Sequence, residues 1–111
     1  MIAAAQFSVH RSPSRNASRP FVIVLQCNDF QRMPTRIVAP LVLPASMPGL
    51  QGEHPRIAPM LVVLGRGYVL NPLDLATIGL ARLGERVASF ADDNEAKRMI
   101  HDALDTVLKP Y

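Results

Sequence analysis

The three histidines are the first residues to consider, because imidazole binds metals and transfers protons near neutral pH. His10, His54 and His101 lie far apart, and none has a cysteine or carboxylate at the spacing of a metal-ligand pair. The sequence also contains no P-loop, dinucleotide fingerprint or nucleophile elbow. We therefore predict no metal site, no catalytic residues and no cofactor.

One cysteine and one acid pair could still suggest chemistry. Cys27 is the single cysteine, which excludes an intramolecular disulfide and fits a reducing compartment. It stands in an apolar run, where a cysteine usually acts as a small buried hydrophobe. Asp92 and Asp93 directly precede a helical pattern. Their position predicts helix capping rather than an acid–base pair.

The basic residues are concentrated near the amino terminus, although the net charge is only +3. The first 36 residues hold five arginines and one acid, whereas the last 20 hold five acids and three bases. Arg11, Arg15 and Arg19 share a loop rich in serine, proline and asparagine. This distribution favours an acidic partner, either nucleic acid or an acidic peptide. A solvated basic loop is the other interpretation.

Two β-rich runs, Phe21–Cys27 and Arg36–Leu43, form the centre of the predicted fold. Their β-branched residues favour strands. Both runs are almost continuously apolar, so each strand should be covered on both faces or line a barrel core. Pro40 cannot donate a hydrogen bond to a sheet, and it predicts an edge strand or a bulge there.

Shorter elements surround this pair, as ten prolines in 111 residues would require. The pattern of Leu80–Phe90 predicts neither a helix nor a strand. The proline-rich segment Pro44–Pro59 is predicted to be a long loop, and loops of this length are often functional. The other predicted strands are Gln6–Val9, Met60–Leu64, Tyr68–Leu70 and Leu73–Ile78, with a tight turn at Gly65–Gly67.

The last element is predicted to be a helix that Asp92 or Asp93 caps and that Pro110 ends at about Lys109. Lys97, His101 and Asp105 fall on its polar side. Its apolar stripe comprises Ala96, Ile100, Ala103, Leu104, Val107 and Leu108, and we expect this stripe to face the core or a dimer partner.

The length predicts one domain over residues 1–111, of mostly β, α+β class. The start of the sequence lacks the features of a signal peptide. The uncharged stretch Ile37–Gly52 is interrupted by prolines, so it cannot span a membrane as a helix. A soluble, cytoplasmic protein is expected.

Motifs along nearly the whole chain resemble, in order and spacing, the CcdB toxins of bacterial toxin–antitoxin modules. None is specific alone. They are Gln6–His10, Val24–Gln26, Arg36–Leu41, Tyr68–Leu70, Asp74–Ala76, Leu83–Gly84, Val87 and Ala103–Asp105.

The resemblance implies a small SH3-like β-barrel with a carboxy-terminal α-helix that forms a homodimer. It implies a toxin that binds the A subunit of DNA gyrase, traps the gyrase–cleaved-DNA complex and is neutralised by an antitoxin with a disordered tail. The family's gyrase contact lies at the chain's end, which corresponds here to Leu108, Lys109, Pro110 and Tyr111. The family ending is Trp-Gly-Ile or similar, so Lys-Pro-Tyr matches it only in an apolar last residue.

Two other functions remain open at this stage. The same barrel type carries ribonuclease toxins, which cleave RNA with arginine, histidine and carboxylate groups. A basic barrel that binds nucleic acid or protein without toxicity is the third possibility. For the toxin, we expect Arg11, Arg15 and Arg19 to bind the antitoxin, with no sequence-specific contact to nucleic acid.

Overall fold

Seven short antiparallel strands form one sheet in the computed structural model, which describes residues 2–47, 49, 54 and 56–110. The strands are β1 (Ser8–Arg11), β2 (Phe21–Val24), β3 (Thr35–Val42), β4 (Met60–Val63), β5 (Arg66–Leu70), β6 (Ala76–Gly79) and β7 (Arg86–Ser89). Single 3₁₀ turns lie at Asn28–Phe30, Pro44–Ser46 and Leu80–Arg82.

The long strand β3 organises the sheet. The strand order is β4-β5-β3-β2-β1-β7, and β6 pairs with the first half of β3 outside this path. The strands curve into a half-barrel, and one helix follows them. This architecture confirms the mostly β, α+β class with a carboxy-terminal helix.

Pro40 does not mark an edge strand, so the sequence-based prediction of an edge was wrong. β3 pairs with β2 on one side and with β6 and then β5 on the other. Pro40 falls between the residues that pair with β6, which end at Val38, and those that pair with β5, which begin at Leu41. The Pro40 carbonyl accepts from Asn71 N–H at 3.0 Å, so proline leaves out only the reciprocal bond of this pair, at the end of the β3–β5 ladder.

The core lies between one face of the sheet and the helix. Val9, Ile23, Leu41 and Leu70 are fully buried there, and Phe21 meets Tyr68 edge to face with ring centroids 5.2 Å apart. On the other face of the sheet lies a smaller apolar cluster, and Ile78 of β6 packs against it. Its buried members are Val22, Val24 and Val38.

Helix α1 comprises Asn94–Val107 and packs on the sheet through Ala96, Ile100 and Ala103. Its cap is Asp93, whose side-chain carboxylate accepts from the Ala96 N–H at 3.0 Å, as the sequence predicted. Along the apolar stripe burial decreases toward the carboxyl end. None of the helices among the described residues is long and apolar enough to cross a membrane.

Several strands begin or end at residues other than those predicted from the sequence. The first strand starts at Ser8, β2 ends at Val24, and β6 begins at Ala76. The β4–β5 turn consists of Leu64 and Gly65 rather than Gly65–Gly67, and both have positive φ, at 52° and 79°. The unassigned Leu80–Phe90 segment contains a 3₁₀ turn followed by β7. Part of the Pro44–Pro59 loop lies outside the described residues.

Buried Arg36 holds the amino-terminal segment and the β2–β3 connection together through hydrogen bonds. The sequence did not predict this role. The Arg36 side chain is 2% exposed, and each of its five N–H donors has a carbonyl acceptor, so a buried charge is fully hydrogen-bonded. The acceptors lie 2.8–3.1 Å away, on Ala3, Ala4, Gln31, Met33 and Thr35.

The backbone at Gly84 lies so close to β1 that there is no room for a side chain. The Gly84 N–H donates to the Arg11 carbonyl at 3.1 Å, and a Cβ atom there would lie 2.6 Å from the same oxygen. We expect Gly84→Ala to lower the free energy of unfolding by about 1–3 kcal/mol, because backbone must move to relieve the clash. Urea denaturation followed by circular dichroism measures the change.

Gly79→Ala is the matched control, since a Cβ atom at Gly79 has nothing within 4 Å. Equal urea midpoints for Gly84→Ala and wild type would contradict the steric explanation.

Candidate partner-binding surfaces

The carboxyl end of α1 leaves the body of the protein with apolar surface exposed. Pro110 disfavours α conformation at Lys109, and the helix ends at Val107, two residues earlier than predicted. Leu108 closes the last turn by donating its N–H to the Leu104 carbonyl at 2.8 Å. The Leu108 side chain is 62% exposed. It is therefore available for contact with a partner.

Beside this end lies a groove of about 280 Å³ whose lining is almost entirely apolar, which we call the apolar groove. Phe30 is 60% exposed and Ile37 is 44% exposed, so the groove presents two adjacent large apolar side chains to solvent. The groove is lined by Leu25, Gln26, Cys27, Phe30, Ile37, Leu75, Leu104 and Leu108.

The prediction for Cys27 was wrong, and Phe30 was not predicted to be part of any surface. Cys27 was expected to be buried in a strand, but β2 ends at Val24 and the thiol is exposed on the groove. Phe30 stands in a polar connecting segment, and it is the one aromatic residue of that segment. An aromatic residue in a mostly polar loop was the available signal for this surface.

The predicted gyrase-binding residues that the structure describes line two neighbouring depressions. Leu108 lines both of them, one being the apolar groove. Lys109 and Pro110 are exposed and line a second, wider depression of about 570 Å³, together with Arg56 and Asp105. Tyr111 lies outside the described residues. The end of α1 thus presents an apolar surface on one side and a mixed charged surface on the other.

The predicted antitoxin-binding arginines are exposed, but two of them face acids of the same chain. Arg19 Nη1 lies 2.6 Å from Asp74 Oδ2, and Arg11 Nε lies 3.5 Å from Glu85 Oε2. Arg15 is exposed in the β1–β2 loop. Exposed ion pairs contribute little to stability, so an incoming carboxylate can exchange with Asp74 or Glu85 at little cost.

Two groups of the types that a ribonuclease would use, His10 and Arg36, are engaged within the fold. His10 is buried, with Nε2 2.9 Å from Ser8 Oγ and Nδ1 3.1 Å from the Gly84 carbonyl. Arg36 is buried and bonded to backbone carbonyls. Within the described ranges, no three histidine, cysteine or acidic residues are grouped closely enough to hold a metal ion.

The sequence matches one protein-family model over almost its whole length. The model is described as CcdB protein, and it matches residues 6–109. The chain belongs to the CcdB family. The match covers almost the whole sequence and confirms the resemblance seen in the ordered motifs.

Solved structures share the fold of this CcdB-family chain. An endoribonuclease in complex with its cognate antitoxin, from a mycobacterial species, superposes with a TM-score of 0.73. The two chains are 17% identical, and the match covers 100% of this chain and 99% of that one. A second mycobacterial endoribonuclease has a TM-score of 0.65 at 15% identity, covering 100% and 97%. At these identities the likeness shows a common fold. No curated protein matches the chain significantly.

Proposed function

We propose that this CcdB-family protein is the toxin of a type II toxin–antitoxin module. It binds the A subunit of DNA gyrase, traps the gyrase–cleaved-DNA complex and is held inactive by an antitoxin. The match to the CcdB family over residues 6–109 carries the proposal. The exposed apolar end of α1 supports it, since this is the position where the resemblance places the gyrase contact.

A poison of this kind needs a binding surface rather than bond-making groups. Leu108 offers an exposed apolar side chain, and Lys109 and Pro110 lead from it toward Tyr111. A tyrosine ring is an amphipathic anchor of the sort enriched at interface hot spots. Lys109 adds a strongly hydrated charge that is costly to bury without an acidic partner. We therefore expect weaker poisoning than a Trp-Gly-Ile ending gives.

We also propose that the toxin is a homodimer that pairs through the apolar groove. A 111-residue chain has a small core, and pairing would cover Phe30 and Ile37, which are exposed in a single chain. A specific interface of this kind buries on the order of 1,200 Å² in total. The carboxyl ends of both helices would then lie at one surface of the dimer.

A ribonuclease toxin is the second candidate, favoured by the shared fold with two mycobacterial endoribonucleases. Incubating the protein with RNA, and separately with gyrase and supercoiled DNA, distinguishes the two. We expect linear DNA in the gyrase reaction after detergent and protease treatment, and intact RNA. Cleaved RNA without gyrase-dependent DNA breaks would favour the ribonuclease.

The arginine loop is expected to speed capture of the antitoxin. Replacing Arg11, Arg15 and Arg19 by serine should slow association with an acidic antitoxin tail by about tenfold at low salt, because steering by opposite charge is lost. The dependence of the rate on salt should also weaken. Stopped-flow mixing of toxin and antitoxin measures both quantities.

A second triple variant, Arg66, Lys97 and Arg98 to serine, removes the same charge from other elements and serves as the control. Equal association rates and salt slopes for the two triple variants would mean that the loop is a solvated connector.

A further inference from the structure

One backbone edge of strand β4 has no pairing strand among the described residues. Along its other edge the strand pairs with β5, and Val63 and Arg66 close the two-residue turn. Along an antiparallel pair of strands, hydrogen-bonded and non-hydrogen-bonded residue pairs alternate. The bond from Leu70 N–H to the Pro59 carbonyl at 2.9 Å shows that Pro59 and Leu70 are a hydrogen-bonded pair, so the next pair, Met60 and Val69, is not. Met60 and Val62 therefore direct their N–H and carbonyl groups away from β5. These four groups form a template for another strand.

The side chains on this edge are also unusual for a free strand. Met60 is 47% exposed and Val62 is 64% exposed, and the strand carries no charge. Proteins usually protect an edge strand with charged residues, and the opposite edge strand, β7, does carry Arg86. The contrast between the two edges indicates that β4 is a contact surface.

A groove of about 260 Å³ separates β4 from the start of α1. It is smaller than the 300–1,000 Å³ typical of small-molecule sites, so side chains of a peptide fit it better than a ligand does. Phe90 and Met99 supply an apolar wall opposite Met60 and Val62. The charged residues that line it, Asp93 and Glu95, are both acidic and exposed.

We propose that β4 binds an extended segment of a partner protein that presents apolar and basic residues on the same face of the added strand. The segment would add as a strand to Met60 and Val62, with apolar side chains on the groove and lysine or arginine near Asp93 and Glu95. A second copy of this chain is a poorer occupant, because pairing β4 with β4 would bring both acidic pairs to one edge. The proposal is independent of gyrase poisoning and uses a surface separate from the apolar groove.

The test measures binding of the capped seven-residue peptide Thr-Val-Thr-Lys-Thr-Val-Thr, in which valine and lysine share one face of the strand, by isothermal titration calorimetry. Two comparison peptides isolate the causes. One carries N-methyl groups on alternate residues, which removes the N–H donors of one edge, and the other has glutamate in place of lysine. We expect binding of the first peptide, and at least tenfold weaker binding of the other two.

Variants of the protein locate the site. Val62→Pro removes an edge N–H without removing a bond to β5, and Val62→Lys adds a repelling charge, so each should weaken binding at least tenfold. Glu95→Gln should weaken it severalfold. Leu73→Lys, at a side chain that is 61% exposed and outside the groove, should leave it unchanged.

Three results would overturn the proposal. They are equal binding of the N-methylated peptide, equal binding of the glutamate peptide, and unchanged binding by a folded Val62→Lys variant. Loss of self-association in Val62→Lys without any peptide would assign the edge to a second copy instead. Circular dichroism confirms that each variant is folded.

Discussion

Phe30→Ser is expected to raise the dimer dissociation constant by about a thousandfold. The ring is 60% exposed in a single chain and lies on the apolar groove with Ile37 and Leu108. A buried aromatic anchor at an interface contributes about 2 kcal/mol or more, and a two-fold dimer contains it twice. Two such losses, about 4 kcal/mol together, correspond to roughly three powers of ten in affinity.

Sedimentation equilibrium over nanomolar to micromolar concentrations measures this constant. Leu73→Ser is the matched control, because Leu73 is equally exposed, at 61%, but does not line the groove. The exposed Cys27 thiol on the groove gives an independent readout, since pairing should slow its reaction with a thiol reagent. A wild-type protein that sediments as a monomer at micromolar concentration would contradict the dimer.

The main elements of the fold could be predicted from the sequence because their signals are local. Apolar runs rich in valine and isoleucine predicted β2 and β3, and the helical stripe with an aspartate before it predicted α1. Only strand pairing in the folded protein explains the position of Pro40. Two different strands share one side of β3, and no local pattern records where one partner ends and the next begins.

The candidate surfaces were harder to predict than the fold. Exposure of Cys27 depends on β2 ending at Val24, and strand boundaries carry weak sequence signals. Burial of Arg36 depends on carbonyl groups from two separate loops that meet around it. The groove itself joins residues from β3, α1 and two loops, so it exists only once these elements pack together.

The carboxyl end, Lys109-Pro110-Tyr111, departs from the ending that the resemblance to the family predicts. Loss of Tyr111 is expected to abolish gyrase-dependent DNA cleavage, because the last apolar side chain would be the anchor on gyrase. The fold and the dimer should persist, since the core residues of α1 end at Ala103. Replacing Lys109-Pro110-Tyr111 by Trp-Gly-Ile should strengthen cleavage, as it removes both the helix-ending proline and the hydrated charge.

Gyrase cleavage of supercoiled DNA tests the central claim most directly, with the wild-type protein, the form lacking Tyr111 and the Trp-Gly-Ile variant compared at equal protein concentration. We predict linear DNA that increases in the order truncated, wild type, Trp-Gly-Ile. Cleavage that is unchanged by truncation would place the contact elsewhere on the protein. No cleavage by wild type or the Trp-Gly-Ile variant at any concentration would contradict gyrase poisoning and leave a CcdB fold with another target.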